Sequence, residues 1–305
     1  MKKRLVWFKG KIVSAAEANI NMLTPTSQFG VNVFEGIRAY WSSQDNKLYI
    51  FRLDDHIRRL QDSIKLMDFE YKVDDSFLKT SIIETIIANN YKEDIAIRQI
   101  IFLDGDGSWT STEGAEMLVA PIPKGRAISN KREGFNCCIS SWERINTNSV
   151  SPQIKAGANY INSRMAQLEA IKNGYDSAIL LNNRGTISEA PGSCIFIVKN
   201  NELITPSFNS SILHSITRSS VLEIANKILG INSIEREIDR TEIYTADEVF
   251  LCGTAVEILP VLSVDKRSIA KGIEGEVTKK IKDNYFKIVR GKSPQFTNWL
   301  TSAYL

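Results

Sequence analysis

The segment Ile154-Lys155-Ala156-Gly157-Ala158-Asn159-Tyr160 places one lysine before three small residues, just ahead of a predicted helix. A lysine amine must be neutral to attack a carbonyl group, and a small, partly desolvated surround lowers its pKa. The segment therefore makes Lys155 a candidate nucleophile. Most lysines are ordinary solvated residues, so this interpretation depends on what the rest of the chain supplies.

Three other segments carry groups that suit a reactive site. Ile187-Ser188-Glu189-Ala190-Pro191-Gly192-Ser193-Cys194 holds an acid in a tight turn that enters an apolar strand. Ser215-Ile216-Thr217-Arg218 is a hydroxyl-bearing turn at a predicted helix start, where free N–H groups and the helix dipole attract phosphate. Cys252-Gly253-Thr254-Ala255 is a second such turn. Each alone is ordinary capping or turn chemistry, so their significance lies in occurring together.

The composition is that of an ordinary globular protein. Of 305 residues, 43% are hydrophobic and 24% charged, and 38 basic residues nearly balance 35 acidic ones. This balance predicts a folded core and no nucleic-acid partner, because a nucleic-acid-binding protein would show a dominant basic patch. The sequence shows neither a membrane-spanning apolar stretch nor a signal peptide, so we expect a cytoplasmic protein with no membrane partner.

Several common kinds of active site are missing from the sequence. His56 and His214 have no spaced partners for a metal site or a Ser–His–Asp triad. The four cysteines lack metal-ligand spacing, which predicts free thiols and no metal. Asp104-Gly105-Asp106-Gly107 departs from both the dinucleotide and the P-loop patterns. Chemistry by a cofactor that a lysine holds is still open.

Strand and helix patterns occur in both halves of the chain. Hairpins are predicted within 5–14 and 34–51, and an amphipathic helix follows from Leu53. Helices are also predicted from about Tyr160 to Asn173 and after Ser215. Antiparallel hairpins mixed with helices favour an α/β fold of the mixed α+β kind over a doubly wound parallel sheet.

Pro121, Pro123 and Gly125 mark the predicted domain boundary. The chain length suits two domains of about 100–200 residues each. We predict a smaller N-terminal α/β domain at 1–123, a linker at 124–133 and a larger C-terminal domain at 134–305.

Taken together and in order, the motifs resemble those of the branched-chain aminotransferases, which are fold-type IV enzymes that use pyridoxal 5'-phosphate (PLP). The similarity runs from about Phe29 to the end of the chain. It includes Val33-Phe34-Glu35-Gly36-Ile37-Arg38 and Ala246-Asp247-Glu248-Val249-Phe250. The resemblance implies two α/β domains with the cofactor in the cleft between them, where the larger C-terminal, cofactor-binding domain supplies most of the contacts. It also implies at least a homodimer. It also implies transfer of an amino group between an amino acid, L-glutamate on one side, and a 2-oxo acid.

The resemblance assigns cofactor roles to single residues. Lys155 would hold PLP as a Schiff base and move the proton at the substrate α-carbon. Glu189 would face the ring nitrogen, whose protonation makes the ring a better electron sink, and Tyr160 would face the ring oxygen. The phosphate would be bound by Arg59, Ile216, Thr217 and Thr254. Helical spacing alone does not favour Arg59 over Arg58.

The substrate side departs from the family pattern. The family usually lines it with tyrosines and a tryptophan around an aliphatic side chain, and the matching positions here are Phe29, Ala96, Lys124 and Ala127. Two arginines match family arginines, Arg38 and Arg98, the latter associated with an acidic co-substrate. The implied substrate-binding set is Phe29, Phe34, Arg38, Ala96, Arg98, Thr254 and Ala255. We therefore expect glutamate as amino donor and weakened selectivity for aliphatic side chains.

Other activities on this fold stay open. A fold-type IV lyase, such as aminodeoxychorismate lyase, shares the lysine, acid and tyrosine, and a D-amino-acid aminotransferase has the same fold. The Phe34–Arg38 and Ala246–Phe250 motifs favour an aminotransferase. A binding or regulatory protein that kept only the fold is disfavoured, because the lysine, acid, tyrosine and phosphate donors are all present.

Overall fold

The chain forms two β-sheets, each in its own unit, in a computed structural model that describes residues 4–126 and 133–304. Among these residues, the first unit takes 4–125, 154–158 and 287–304, and the second takes 126, 133–153 and 159–286. Residues 127–132, which include Ala127 and most of the predicted linker, lie outside the described residues. The predicted domains of 1–123 and 134–305 stay a prediction, and the observed first unit also includes the C-terminal residues.

The first unit contains an antiparallel sheet of seven strands. Its strands are β1 (Leu5–Phe8), β2 (Lys11–Ser14), β3 (Asn32–Ser42), β4 (Lys47–Phe51), β5 (Ile95–Leu103), β6 (Ala115–Pro123) and β15 (Leu300–Ser302). Its helices are α1 (Pro25–Phe29), α2 (Leu53–Leu66) and α3 (Asp75–Asn89), with a 3₁₀ turn at Pro294–Trp299. The strand order is β15-β4-β3-β5-β6-β1-β2. The last residues join this unit because β15 pairs with β4.

Side-chain alternation along β3 builds the core of the first unit. Val33 and Ile37 point to one face of the sheet, are fully buried and belong to the same apolar cluster as Ile57 and Leu60 of α2. The predicted helical spacing of α2 is confirmed, since its apolar residues line the side that packs on the sheet. The opposite face of β3 carries Phe34, Gly36 and Arg38.

The second unit contains a mixed sheet of eight strands. Its strands are β7 (Phe135–Glu143), β8 (Ser177–Leu181), β9 (Cys194–Lys199), β10 (Glu202–Thr205), β11 (Ser233–Glu235), β12 (Glu248–Gly253), β13 (Glu257–Val264) and β14 (Arg267–Ser268). Its helices are α4 (Tyr160–Lys172), α5 (Ile216–Ile224) and most of α6 (Glu276–Val289), with helical turns at Phe208–Ser210, Ala225–Leu229 and Glu242–Thr245.

The strand order in this sheet is β11-β10-β9-β12-β13-β7-β8, with β14 paired to β13. The pairs β10–β11, β13–β7 and β7–β8 are parallel and the others antiparallel. Antiparallel and mixed sheets in one chain confirm the mixed α+β class and the prediction that the fold is not doubly wound.

Three general findings concern what the described residues contain. No helix among them is both long and apolar enough to cross a membrane. All four cysteines are buried free thiols. No group of three or more histidine, cysteine or acidic side chains within residues 4–126 and 133–304 is arranged to hold a metal ion.

Candidate active site

Lys155 lies in a short segment, Ile154–Ala158, that runs along β3. The Phe34 N–H donates to the Lys155 carbonyl over 2.9 Å, and the Gly157 N–H donates to the Asn32 carbonyl over 3.1 Å. An antiparallel bridge between Val33 and Ala156 lies between these two bonds. The backbone of the candidate lysine is therefore fixed to a central strand of the first unit's sheet.

The small residues after Lys155 allow this close pairing. A Cβ atom on Gly157 would lie 2.6 Å from Oδ1 of Asn32, closer than real Cβ contacts come. A side chain at this position would therefore have to displace the Asn32 side chain. Gly157 thus leaves room for Asn32 between the segment and β3.

The side chains around Lys155 are aromatic and cationic. Its Nζ lies 5.1 Å from the centroid of the Phe34 ring, and the guanidinium carbon of Arg98 lies 4.3 Å from the same centroid. Arg98 is opposite Gly36 in the pairing of β3 with β5. The Lys155 and Arg98 side chains therefore lie against the same aromatic ring.

Arg38 and Ala96 lie further along the same face of the sheet. They are opposite each other in the pairing of β3 with β5. Arg38 is buried and donates from Nη2 to the Gly125 carbonyl over 3.0 Å. The structure thus brings four residues onto one face of the sheet: Phe34 and Arg38 of β3, and Ala96 and Arg98 of β5. Phe29, by contrast, is 44% exposed and packs edge-on against Trp109.

Arg59 is distinguished from Arg58 by a buried ion pair with Glu35. Nε of Arg59 donates to Oε1 of Glu35 over 2.7 Å, and Nη2 donates to Oε2 over 2.8 Å. Nδ1 of His56 lies 2.7 Å from the same Oε2. Arg58 instead pairs with Asp55 and its side chain is 71% exposed. The structure therefore favours Arg59 as the fixed cation, a choice that the sequence left open.

The charges in this cluster are mutually dependent. Burial alone would raise the pKa of Glu35, but Arg59 and His56 outweigh burial and hold that pKa well below its usual range. The ionised Glu35 carboxylate therefore stabilises the folded state at neutral pH, and this stabilisation is lost only as the pH falls through the lowered pKa of Glu35. Burial lowers the pKa of His56 despite Glu35, so the ring is neutral at pH 7. Its Nδ1 is the donor, because an ionised carboxylate only accepts.

One face of α2 serves both Arg59 and Lys155. His56, Arg59 and Ser63 follow at steps of three and four, which places them on one side of the helix. The Lys155 N–H donates to Oγ of the fully buried Ser63 over 3.2 Å. The helix therefore holds the guanidinium and the lysine backbone through a single rigid element.

In the second unit, Glu189 is a buried carboxylate with three donors. Nε of Arg144 donates to its Oε1 over 2.9 Å, and the Leu213 N–H donates to its Oε2 over 3.3 Å. The Cys194 thiol lies 3.9 Å from Oε2 as a weak donor. Both charged side chains are at most 8% exposed. These contacts fix the orientation of the carboxylate.

Arg144 also connects Glu189 with the helix that begins at Tyr160. Its Nη1 donates to Oδ1 of Asn162 over 3.2 Å, and Asn162 lies in the first turn of α4. Tyr160 itself is 39% exposed. The acid and the start of the tyrosine-bearing helix are thus held by one guanidinium.

The start of α5 presents backbone donors. Ser215 caps the helix by accepting from the Arg218 N–H over 3.2 Å, as its position predicts. The first N–H groups of a helix have no intrahelical partner, so those of Ile216 and Thr217 point beyond the helix end. Arg218 is buried against Thr205, Pro206 and Glu235. This end of the helix suits an anion and is firmly anchored.

Thr254 and Ala255 lie in the turn between β12 and β13. Thr254 is half-buried and Ala255 is exposed. The pairing of the two strands continues up to Gly253 opposite Glu257, so the turn closes a regular hairpin. The hydroxyl of Thr254 is therefore presented by a rigid hairpin.

Sequence reasoning missed the residues that hold the predicted ones. Glu35 was part of a motif without a role, His56 was interpreted as an ordinary helix residue, and Ser63 and Arg144 were not singled out. An acid at a core-facing position of an apolar strand was the available signal for Glu35, because it needs a buried partner. The sequence offers no comparable signal for Arg144.

Three comparisons place these features among known proteins. The family model for class IV amino-transferases matches residues 32–264. The chain is 38% identical to the probable branched-chain-amino-acid aminotransferase of Aquifex aeolicus (strain VF5) over 301 residues, which cover 98% of this chain and 96% of that protein.

Two solved structures are similar over nearly the whole chain. One is the branched-chain amino acid aminotransferase of Thermobaculum terrenum in its PLP-form, with a TM-score of 0.94, 37% identity and 99% of each chain covered. The other is the T.th. branched-chain amino acid aminotransferase complexed with N-(5'-phosphopyridoxyl)-L-glutamate, with a TM-score of 0.93, 34% identity and 99% of each chain covered.

The pairing of Arg144 with Glu189 leads to a stability prediction. We expect Arg144→Met to lower the free energy of unfolding by about 3–5 kcal/mol, because it leaves a buried carboxylate without its cation. Adding Glu189→Gln should recover part of this loss. Chemical denaturation followed by circular dichroism measures both.

The exposed Arg164 on α4 provides a control that also exchanges an arginine for a methionine. Arg164→Met should change the free energy of unfolding by no more than about 0.5 kcal/mol. A double variant that is no more stable than Arg144→Met alone would contradict the pairing.

Proposed function

Since this chain belongs to the class IV aminotransferase family, we propose that it is a PLP-dependent enzyme that transfers the amino group of L-glutamate to 2-oxo acids. The branched-chain 2-oxo acids are among the proposed acceptors, because relatives over the full chain are named branched-chain aminotransferases. The observation that carries the proposal is the pairing of Ile154–Ala158 with β3, which fixes a lysine against the face of α2 that carries Arg59. A lysine that only contacts solvent does not require a backbone fixed in this way, so the pairing favours a functional role for Lys155.

The residues present fit PLP as a group. A lysine amine suits its aldehyde, a buried carboxylate held by Arg144 suits its ring nitrogen, and a capped helix start suits its phosphate. PLP-containing structures of similar proteins support the same assignment. When bound, PLP supplies an aldehyde that joins the amino group and a ring that stabilises negative charge at the substrate α-carbon.

Lys155 is proposed to hold the cofactor and to move the α-carbon proton. Its backbone is fixed by Phe34 and Ser63, so the flexible part is the side chain alone. Because the Lys155 backbone is fixed, its side-chain amine stays close to the substrate α-carbon, and this proximity accelerates proton transfer. Glu189 is proposed to keep the ring nitrogen protonated, and Tyr160 to hold the ring oxygen.

The phosphate is proposed to meet four residues. Arg59 supplies a fixed cation, and Ile216 and Thr217 supply backbone N–H groups at the start of α5. Thr254 supplies a hydroxyl from the hairpin turn. Cation, backbone donors and hydroxyl together are the kind of set that binds a dianion.

The substrate side is proposed to include Arg98, with Phe34, Arg38, Ala96, Thr254, Ala255 and Phe29 as further lining residues. Arg98 is solvent-exposed and shares the Phe34 ring with Lys155. A cation near the reactive lysine suits the second carboxylate of glutamate, the amino acid found linked to the cofactor in a similar protein's structure. Ala96 leaves space where a larger side chain would select more strictly.

We also propose that the enzyme is a homodimer that works in the cytoplasm. The resemblance implies that a second subunit completes the site. Four buried free thiols suit a reducing compartment.

The first prediction concerns Lys155. With PLP, the purified protein should show a visible absorption band that shifts when glutamate is added, and borohydride should fix the cofactor on Lys155. Lys155→Ala should bind PLP without a covalent bond and lose nearly all turnover. Peptide mapping locates the label. Lys92→Ala, which changes an exposed lysine, is the control and should keep the label at Lys155. A label on another lysine would refute the assignment.

The second prediction concerns Glu189. Glu189→Gln should keep PLP bound but slow removal of the α-carbon proton by about 10²–10³-fold, since a charge that stabilises the reaction is lost. Single-turnover rates with α-deuterated glutamate measure this step. Glu237→Gln, at an exposed surface pair with Arg184, should leave the rate unchanged. Near-normal rates in Glu189→Gln would show that the acid is only structural.

The third prediction concerns the substrate. Stopped-flow half-reactions should be faster with glutamate than with leucine, isoleucine or valine, which should still react. Arg98→Gln should weaken the glutamate reaction by about tenfold and leave leucine within about twofold, because only glutamate carries a second carboxylate. Arg58→Gln is the control, since Arg58 is exposed on α2. If leucine or valine reacts far faster than glutamate, the differences between this substrate lining and that of the family do not change the selectivity.

A further inference from the structure

We propose that Glu35, held by His56, is a positioning residue that orients Arg59 toward the cofactor phosphate. This inference rests on the proposed function, because it assumes that Arg59 binds a phosphate. It assigns Glu35 and His56 a task that neither the motif nor the comparisons give them.

The geometry of the ion pair fixes the whole guanidinium plane. The Glu35 carboxylate spans the Nε and Nη2 edge of Arg59 with bonds of 2.7 and 2.8 Å. Two parallel bonds hold a planar group in one orientation, where a single bond would let it rotate. The direction of the third nitrogen, Nη1, is thereby set by a residue on β3.

Burial makes Glu35 an unusual choice for its position. Its neighbours on the same face, Val33 and Ile37, are fully buried and apolar, and Glu35 is fully buried as well. Buried ion pairs are no more stabilising than well-packed apolar residues of similar volume. The acid is therefore better explained by the orientation it imposes on Arg59 than by its effect on stability.

His56 fixes the carboxylate in turn. Its neutral ring donates from Nδ1 to Oε2 of Glu35 over 2.7 Å, and it lies one helical turn before Arg59 on α2. Both donors to Glu35 therefore come from one rigid helix. The carboxylate cannot turn without losing a bond to that helix, so the orientation of Arg59 is determined by β3 and α2 together.

A fixed arginine binds phosphate more tightly than a mobile one. An arginine side chain has several rotatable bonds whose freedom is lost on binding, and a pre-oriented guanidinium has already lost it. Removing Glu35 would therefore weaken binding of phosphate-bearing ligands and spare ligands without phosphate. A residue that served the fold alone would not separate these two classes of ligand.

The test compares PLP with pyridoxal, which has the same ring and aldehyde but no phosphate. The apoprotein of the full chain is titrated with each, and binding is followed by absorbance. Glu35→Gln should raise the Kd for PLP by about ten- to hundredfold, as residues that orient ligands do in metal sites, and change the Kd for pyridoxal by no more than about twofold.

Two further variants make the comparison specific. Asp55→Asn removes an acid on α2 that pairs with Arg52 and Arg58, so it is matched in charge to Glu35→Gln and should alter neither Kd. Combined with Arg59→Gln, which itself should weaken PLP binding, Glu35→Gln should cause no additional loss, because its effect passes through Arg59.

Circular dichroism and the melting temperature establish that each variant is folded. If Glu35→Gln does not fold, His56→Leu replaces it, with a smaller phosphate-dependent loss expected because the Glu35–Arg59 pair is kept. Equal losses for PLP and pyridoxal, or additive losses in the double variant, overturn the inference.

Failure of the proposed function has a different outcome. A wild-type protein that binds PLP no better than pyridoxal, and takes no label at Lys155, overturns the proposed function and this inference together. If the wild type is labelled at Lys155 and prefers PLP, while Glu35→Gln behaves like the wild type, then the inference alone is wrong.

Discussion

The pairing of Ile154–Ala158 with β3 is the contact on which the candidate site depends. Two backbone bonds and one bridge attach five residues to a central strand, although most of the neighbouring chain belongs to the second unit. Backbone bonds to a sheet restrict position more strongly than side-chain packing, because both partners are themselves fixed by further bonds. The backbone of the lysine therefore has a fixed position, and Gly157 leaves room for the Asn32 side chain beside it.

The alternation of β3 then separates two tasks. Residues on the core-facing side, Val33, Glu35 and Ile37, meet α2, and Glu35 uses this position to hold Arg59. Residues on the opposite side, Phe34 and Arg38, share a face with Arg98. Because successive side chains of a strand point to opposite faces, one six-residue motif supplies both the partner of Arg59 and two residues of the proposed substrate lining. A register shift of one residue would move each set of side chains to the opposite face of the sheet.

Local sequence patterns predicted the helices and turns that carry the candidate site. They could not predict contacts between residues that are far apart in the chain. The spacing of apolar residues indicated α2, the small residues marked Lys155, and Ser215 indicated the start of α5, all from neighbours in the chain. The bonds from Arg59 to Glu35 and from Arg144 to Glu189 join residues 24 and 45 positions apart, so no local pattern contains them. Strands defined by their partners show the same limit: β15 has three residues, and only its pairing with β4 makes it a strand. No strand was predicted for β13, and Pro260 argues against one because it has no N–H to donate to a neighbouring strand. In the structure Pro260 lies opposite Phe250 of β12, and the pairing with β7 on the other side begins only at Val261.

The two buried carboxylates show why the site needs residues that no motif marks. Glu35 and Glu189 each meet a guanidinium, and each has a further donor that fixes the carboxylate's rotation: His56 for the first and the Leu213 N–H for the second. An unpaired buried charge would be far too costly, and a paired one adds little stability. What such pairs supply is a charge at a fixed position in a medium of low polarity, where it acts strongly on whatever lies nearby. The roles proposed for the site residues depend on charges of this kind, so the supporting residues belong to the proposal as much as the residues that the motifs name.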